Sequence, residues 1–215
     1  MKGQADKETL AQQVYRDIKQ RILQGEIGSG SSLTERDLAE QSGISRTPLR
    51  SAISRLEKEG VIARLSNGAL MVREVSIEQL LEIVQVRRIL EGAAAKRAAA
   101  NGMTPELQDI ARLMRAYANG RAVAFDRFWA DDEAFHLAIA SAAGLSLLPS
   151  LIAQMRATAR RCTITRSFDH FTQQAIEHLA VIEAIEARDA QAAKAAMEGH
   201  FDSVRTRFLE WLARR

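Results

Sequence analysis

All four histidines of this 215-residue chain stand in its second half, at His136, His170, His178 and His200. A neutral imidazole is a nitrogen ligand for borderline divalent metals, and an aspartate adds an anionic oxygen. Asp132 and His136 are spaced i, i+4, which puts both on one face of a helix. His178 and His200 are 22 residues apart, about six turns of helix plus a connection. One carboxylate and three imidazoles brought together suit a divalent ion of the Zn, Ni or Mn type. An open position on that ion would take a ligand carboxylate directly. On spacing alone each histidine also reads as an isolated side chain between helices. His170 precedes His178 by a rotation of only about 80° but about 12 Å along a helix, so it reads as a helix-start or pocket-edge residue.

A second constellation is built from arginines. The stretch Leu33 to Ile62, LTERDLAEQSGISRTPLRSAISRLEKEGVI, holds two short amphipathic helix patterns separated by Ser42-Gly43. In the second, Leu49, Ile53 and Leu56 recur at i, i+4 and i+7, and no acid interrupts Gly43 to Leu56. A short helix, a tight glycine turn and a helix with arginine at its leading end is the layout of a helix-turn-helix DNA reader. A helix in the major groove must offer small or donor side chains near its N-terminus. Ser45, Arg46, Thr47 and Arg50 meet that need. Arg36, on the preceding helix, is placed to grip a flanking phosphate, and Asn67-Gly68 forms a hairpin tip compact enough for a minor groove.

These groups need elements to position them. Residues 9–24 put Leu10, Val14, Ile18 and Ile22 on one helical face, ended by Gly25 and the Gly28-Ser29-Gly30 cluster. Thr34 is an N-cap candidate for the next helix, with Asp37 three residues on. After Glu59-Gly60, residues 61–65 and 69–72 are strand-like runs around Ser66-Asn67-Gly68, a hairpin signal. From Val75 the pattern is helical throughout. Ser76 caps a helix to about 100, and Thr104-Pro105-Glu106 starts another. Further helices are expected over 122–143, 149–166, 168–188 and 189–214. The fold expected is mainly α: a winged helix-turn-helix over 1–74 and an antiparallel bundle of about six helices over 75–215.

Composition narrows the function classes. Hydrophobic content of 47% with 27% charged residues belongs to a globular chain. No apolar run approaches the roughly 20 residues of a membrane span, and MKGQADKETL has no apolar signal core, so no membrane contact and a cytoplasmic location are expected. The single cysteine, Cys162, excludes an internal disulfide framework and reads as a helix residue of no special reactivity. Net charge is only +3, so the case for DNA rests on where arginines sit, not on how many there are.

Residues 10–73 resemble the GntR-type winged helix. The resemblance is carried by Leu33-Thr34-Glu35, Leu38-Ala39, Gly43 through Arg50, Ala52, Leu56 and Glu59-Gly60-Val61-Ile62. It implies operator contacts by Arg36, Arg46, Thr47, Arg50 and Gly68. The chain departs from the family pattern at Gly28-Ser29-Gly30, where Pro-Gly is usual. Residues 76–212 resemble the all-helical ligand-binding FCD domain of the FadR subfamily, through Val86-Arg87-Arg88-Ile89-Leu90-Glu91, Asp132 to His136, Ala143-Gly144, Glu177-His178 and Met197 to His200. That resemblance implies a metal held by Asp132, His136, His178 and His200, with Arg87 or Arg88 meeting an effector carboxylate. Arg156, Arg160 and Arg161 are weaker candidates for the same task. Asp131 reads as a solvated neighbour of Asp132, and Trp129 and Phe135 read as core.

The function expected is a metabolite-responsive repressor that binds double-stranded operator DNA as a homodimer. A mononuclear metalloenzyme competes with it, but no general base stands in motif context and the DNA reader would go unexplained. A third reading is a DNA-binding protein in which the metal only stabilises the bundle.

Overall fold

A computed structural model describes residues 8–162 and 170–214. It divides into two compact units, Met1–Val75 and Ser76–Arg215.

In the first unit, α1 (Leu10–Gln24) packs on α3 (Arg46–Lys58), with α2 (Glu35–Ser42) between them in sequence. Val14, Ile18 and Ile22 of α1 are buried as their spacing requires, whereas Leu10, the first residue of the helix, is 50% exposed. On α3 the stripe Leu49, Ala52, Ile53 and Leu56 is buried, which fixes the rotation of this helix about its axis. Thr34 caps α2 in a reciprocal box with Asp37, two orphan backbone donors being satisfied at once. Thr34→Ala should therefore lower the unfolding free energy of this unit by about 1 kcal/mol, read as a shift of the denaturant midpoint.

The hairpin forms between β2 (Ile62–Arg64) and β3 (Leu70–Val72), antiparallel, with Ala63 opposite Met71. Gly68 turns it at φ +83°, a conformation that L side chains rarely adopt. A further strand, β1 (Ser32–Leu33), pairs antiparallel with β3 on its other edge and gives the order β1-β3-β2. Sequence reading had no strand there, since two residues carry no alternation to detect. The Gly28-Ser29-Gly30 turn serves this strand: Gly30, at φ +78°, donates its backbone N–H to Val72.

Among the described residues the second unit comprises α4 (Ile77–Asn101), α5 (Pro105–Ala118), α6 (Phe125–Ala142), α7 (Leu148–Arg160), α8 (Phe171–Glu186) and α9 (Ala190–Ala213). The helix expected over 149–166 ends at Arg160 with its cap at Arg161, and residues 163–169, including the expected start at Phe168, lie outside the described residues. The closest partners are α4 with α9, α8 with α9, and α5 with α8. Alanines 94, 95, 98 and 99 are all fully buried, and such short side chains let the helix backbones approach. Toward its N-terminal half, α4 instead buries Arg87 and Glu91, which is costly unless both are paired. Ile89 on the same helix is 57% exposed. No described helix is long and apolar enough to cross a membrane.

Candidate functional site

Because the stripe of α3 faces inward, its N-terminal arginines face outward. Ser45, Arg46, Thr47 and Arg50 are exposed, and the Ser45 side chain makes no capping hydrogen bond although its residue sits at the cap. Arg36 of α2 and the wing residues Asn67 and Gly68 are exposed as well. One shallow cleft is lined by Thr34, Glu35, Arg36, Arg46, Arg50, Arg64 and Gly68. The structure thus brings Arg36, Arg46, Arg50 and Gly68 to a single basic face. Asn67 turns its carboxamide oxygen to the backbone N–H of Ala69 and supports the wing turn.

Sequence reasoning missed two members of this face. Arg64, at the end of β2, pairs with Glu35 at 3.0 Å and with Glu57 at 3.0 Å. Glu35 also accepts from Arg50 Nε at 2.9 Å, so one carboxylate aligns two guanidinium groups. The Arg50 hydrogen bond is the largest influence holding the Glu35 carboxyl below its ordinary range. No acid lies between Gly43 and Leu56 in sequence, yet the fold supplies one from α2. Glu35→Gln should free Arg50, leave Arg64 to Glu57 alone and raise the net positive charge of the face. Binding to random duplex should strengthen, and the preference for operator over random DNA should fall severalfold in parallel anisotropy titrations.

In the second unit, His136 of α6, His178 of α8 and His200 of α9 converge, their ligand atoms all lying within 4.8 Å of one another. Asp132 joins them: its Oδ1 lies 3.3 Å from His178 Nε2 and 3.8 Å from His136 Nε2, while its Oδ2 accepts from Arg156. Burial raises the Asp132 carboxyl, but the charge of the Arg156 guanidinium, the largest opposing influence, helps hold the group ionised, well below its ordinary range. Burial depresses His136, with Arg87 and Arg156 adding to the effect. Burial likewise takes His178 down to about 3, with His200 adding to it. Neutral His136 and His178 beside an ionised Asp132 are in the donor states a divalent cation needs.

The surroundings fit such an ion. His136 Nδ1 meets Glu91 at 2.5 Å and His200 Nδ1 meets Glu177 at 2.8 Å, so the second nitrogen of each ring is left to face inward. Outer carboxylates of this kind fix the tautomer and orientation of ligating histidines. Burial raises Glu177, but hydrogen bonds from His200 and Arg207 outweigh it and hold the group at about 2. His178, fully buried and stacked on Phe135 at 3.9 Å, has neither ring nitrogen hydrogen-bonded. An unsatisfied buried imidazole beside a carboxylate and two further imidazoles is a donor set that fits a divalent cation, with His178 Nε2 as the ligand atom.

A cavity of about 80 Å³ adjoins the cluster, lined by Asp132, His136 and His200 on one side. Arg87 and Arg156 also line it, and each keeps one buried nitrogen without a partner among the described residues, Arg87 Nη2 and Arg156 Nε. Arg88, the alternative to Arg87 in the sequence reading, points elsewhere and pairs with Asp202 and Glu198. One step along a helix turns a side chain by about 100°, and the sequence alone could not tell which arginine faces in.

Other expectations are corrected by the packing. Asp131 is buried, not solvated, and accepts from Tyr117 Oη and Arg127 Nε. Trp129 lines the cavity with the Arg156 guanidinium over its ring at 5.1 Å, whereas Phe135 is core as expected. His170 sits at the N-cap of α8. Glu91 and Glu177 carry no role in the sequence pattern, because three-residue and four-residue spacing to a histidine cannot reveal a partner 45 or 23 residues away.

Comparison with known proteins agrees with both halves. Residues 10–72 match the family model described as bacterial regulatory proteins, gntR family, and residues 82–203 match the FCD domain. The HTH-type transcriptional repressor RspR of Escherichia coli (strain K12) is 28% identical over 90% of this chain and 86% of its own length. A probable D-xylose utilization operon transcriptional repressor of Paenarthrobacter nicotinovorans is 30% identical, covering 89% and 85%. Among solved structures, E. coli McbR/YncC superposes with a TM-score of 0.76 at 24% identity, covering 96% of this chain and 100% of that one. These relatives are DNA-binding regulators, so the metalloenzyme reading is set aside. With its winged helix-turn-helix and its helical FCD unit both matched, the chain belongs to the GntR family of bacterial transcriptional regulators, in its FCD-containing branch.

Proposed function

We propose that the protein is a metabolite-responsive repressor that binds operator DNA as a homodimer and senses a small carboxylate at a metal-centred site. The observation that carries this reading is the pair of unpartnered ring nitrogens on His178, buried among Asp132, His136 and His200. The Nε2 atoms of His136 and His178, the free ring nitrogen of His200 and Asp132 Oδ1 would hold a divalent ion of the Zn, Ni or Mn type. The ion would supply an electrophilic anchor for a carboxylate oxygen. Arg87 and Arg156 supply buried cationic donors beside it, suited to the other oxygen. Glu91 and Glu177 hold the ring orientations, and Asp132 keeps Arg156 in place.

In the N-terminal unit, Arg46 and Arg50 would read base edges while Arg36 and the wing grip phosphate and minor groove. A homodimer would set two such faces on a pseudo-palindromic operator. The ligand can shift DNA affinity only by its differential affinity for the two dimer arrangements. The test is operator anisotropy, using a duplex selected from a random pool, with zinc and with a panel of small carboxylates. Operator affinity should change at least about fivefold with one of them. Metal-dependent stability without any ligand-dependent change would favour a DNA-binding protein that the ion merely stabilises. Light scattering of free protein and complex would read the dimer directly.

A further inference from the structure

Resting on the sensor reading above, the geometry points to a narrower effector class: a short aliphatic monocarboxylate, not a hydroxylated acid or a dicarboxylate. Around the cavity the groups with unmet hydrogen bonds are confined to one end, at Arg87 and Arg156 beside the Asp132–histidine cluster. That end can satisfy one carboxylate. Arg207, the other guanidinium on the wall, is already committed to Glu177 through two hydrogen bonds, at 2.7 and 3.1 Å. A second carboxylate would therefore be buried without a cation of its own.

The rest of the wall is mostly carbon. Leu80, Val84, Phe128, Phe171, Phe201 and Phe208 face the space, and Gln174 carries the one amide among the described lining residues. That amide and the Trp129 indole N–H could each meet a hydroxyl once, but a hydroxyl buried there still loses its other bonds to water, and each further hydroxyl would find no partner. Size points the same way. A cavity of about 80 Å³ is roughly half the ~150 Å³ that admits benzene, so the body of the ligand is on the order of three to five carbons.

The experiment titrates full-length protein, zinc-loaded and zinc-free, with butyrate, 3-hydroxybutyrate, succinate and butyramide by calorimetry. Butyrate and succinate share a chain length and differ in the second carboxylate. 3-Hydroxybutyrate adds one hydroxyl, and butyramide removes the charge. Butyrate should bind tightest in both forms, 3-hydroxybutyrate about tenfold more weakly, and succinate and butyramide roughly a hundredfold more weakly. Succinate or 3-hydroxybutyrate binding as tightly as butyrate would overturn the inference while leaving a carboxylate sensor standing. Binding by none of them would overturn it and remove the effector from the sensor reading as well. Zinc stoichiometry is read separately, and the zinc-free series still ranks the acids if no metal is held.

Discussion

Arg50→Ala should abolish operator retardation while leaving the protein folded. The side chain leaves α3 one turn after Arg46, about 100° round the helix from the buried Leu49, and it is 69% exposed. A bidentate arginine–guanine contact is worth about 1–3 kcal/mol, so its loss costs about tenfold to a hundredfold in affinity per half-site. Where two half-sites are bound the factors multiply, which takes a nanomolar complex out of range of a gel. Stability should move by no more than about 0.5 kcal/mol, because the residue is at the surface and Glu35 keeps Arg64 as a partner. Arg36→Ala is the informative contrast. A phosphate contact carries no sequence information, so that variant should weaken operator and scrambled duplex alike. Anisotropy at one fixed salt concentration, with both duplexes, reads the difference. Near-wild-type operator affinity for Arg50→Ala would remove α3 as the reader.

His178→Leu should shed the metal and yet make the metal-free protein more stable. These opposite signs separate a ligand from a merely buried polar residue. Without an ion, His178 holds two buried nitrogens that bond to nothing, a burden of about 1–3 kcal/mol that an apolar side chain removes. With an ion, its loss removes one of four donors, a larger effect than the 10- to 100-fold expected when an outer carboxylate is altered. Glu177→Gln, which touches His200 and not the ion, should fall in that smaller range. Elemental analysis after dialysis should give about one zinc per wild-type chain and far less for His178→Leu. The wild type should also gain thermal stability on adding zinc, about 2.7 kcal/mol at a hundredfold excess over Kd, and the variant should gain almost none. Equal zinc content in the two proteins would contradict the metal site.

Much of this chain is legible because its signals are local. Thr34 with Asp37 announces a helix start, Asn67-Gly68 a hairpin, and the Leu49–Ile53–Leu56 stripe the rotation of the reader helix. Each depends on residues only a few positions apart, where backbone geometry alone decides the outcome. The two-residue strand β1 escaped because its pairing with β3 spans about 40 residues of chain and leaves no local pattern.

The sequence by itself determined the helix-turn-helix with its wing, the helical second unit, and which residue types stand on the basic face and in the histidine cluster. Only the tertiary structure decided how they are used. It turned Arg87 inward and Arg88 outward, set Glu35 between Arg50 and Arg64, and placed Glu91 and Glu177 behind His136 and His200. It also buried Arg156 against Asp132, with an aromatic-walled cavity beside them. The physical reason is that hydrogen bonds and burial depend on distances across helices. Periodicity fixes which face a residue occupies on its own helix, while the neighbour opposite that face is chosen by packing.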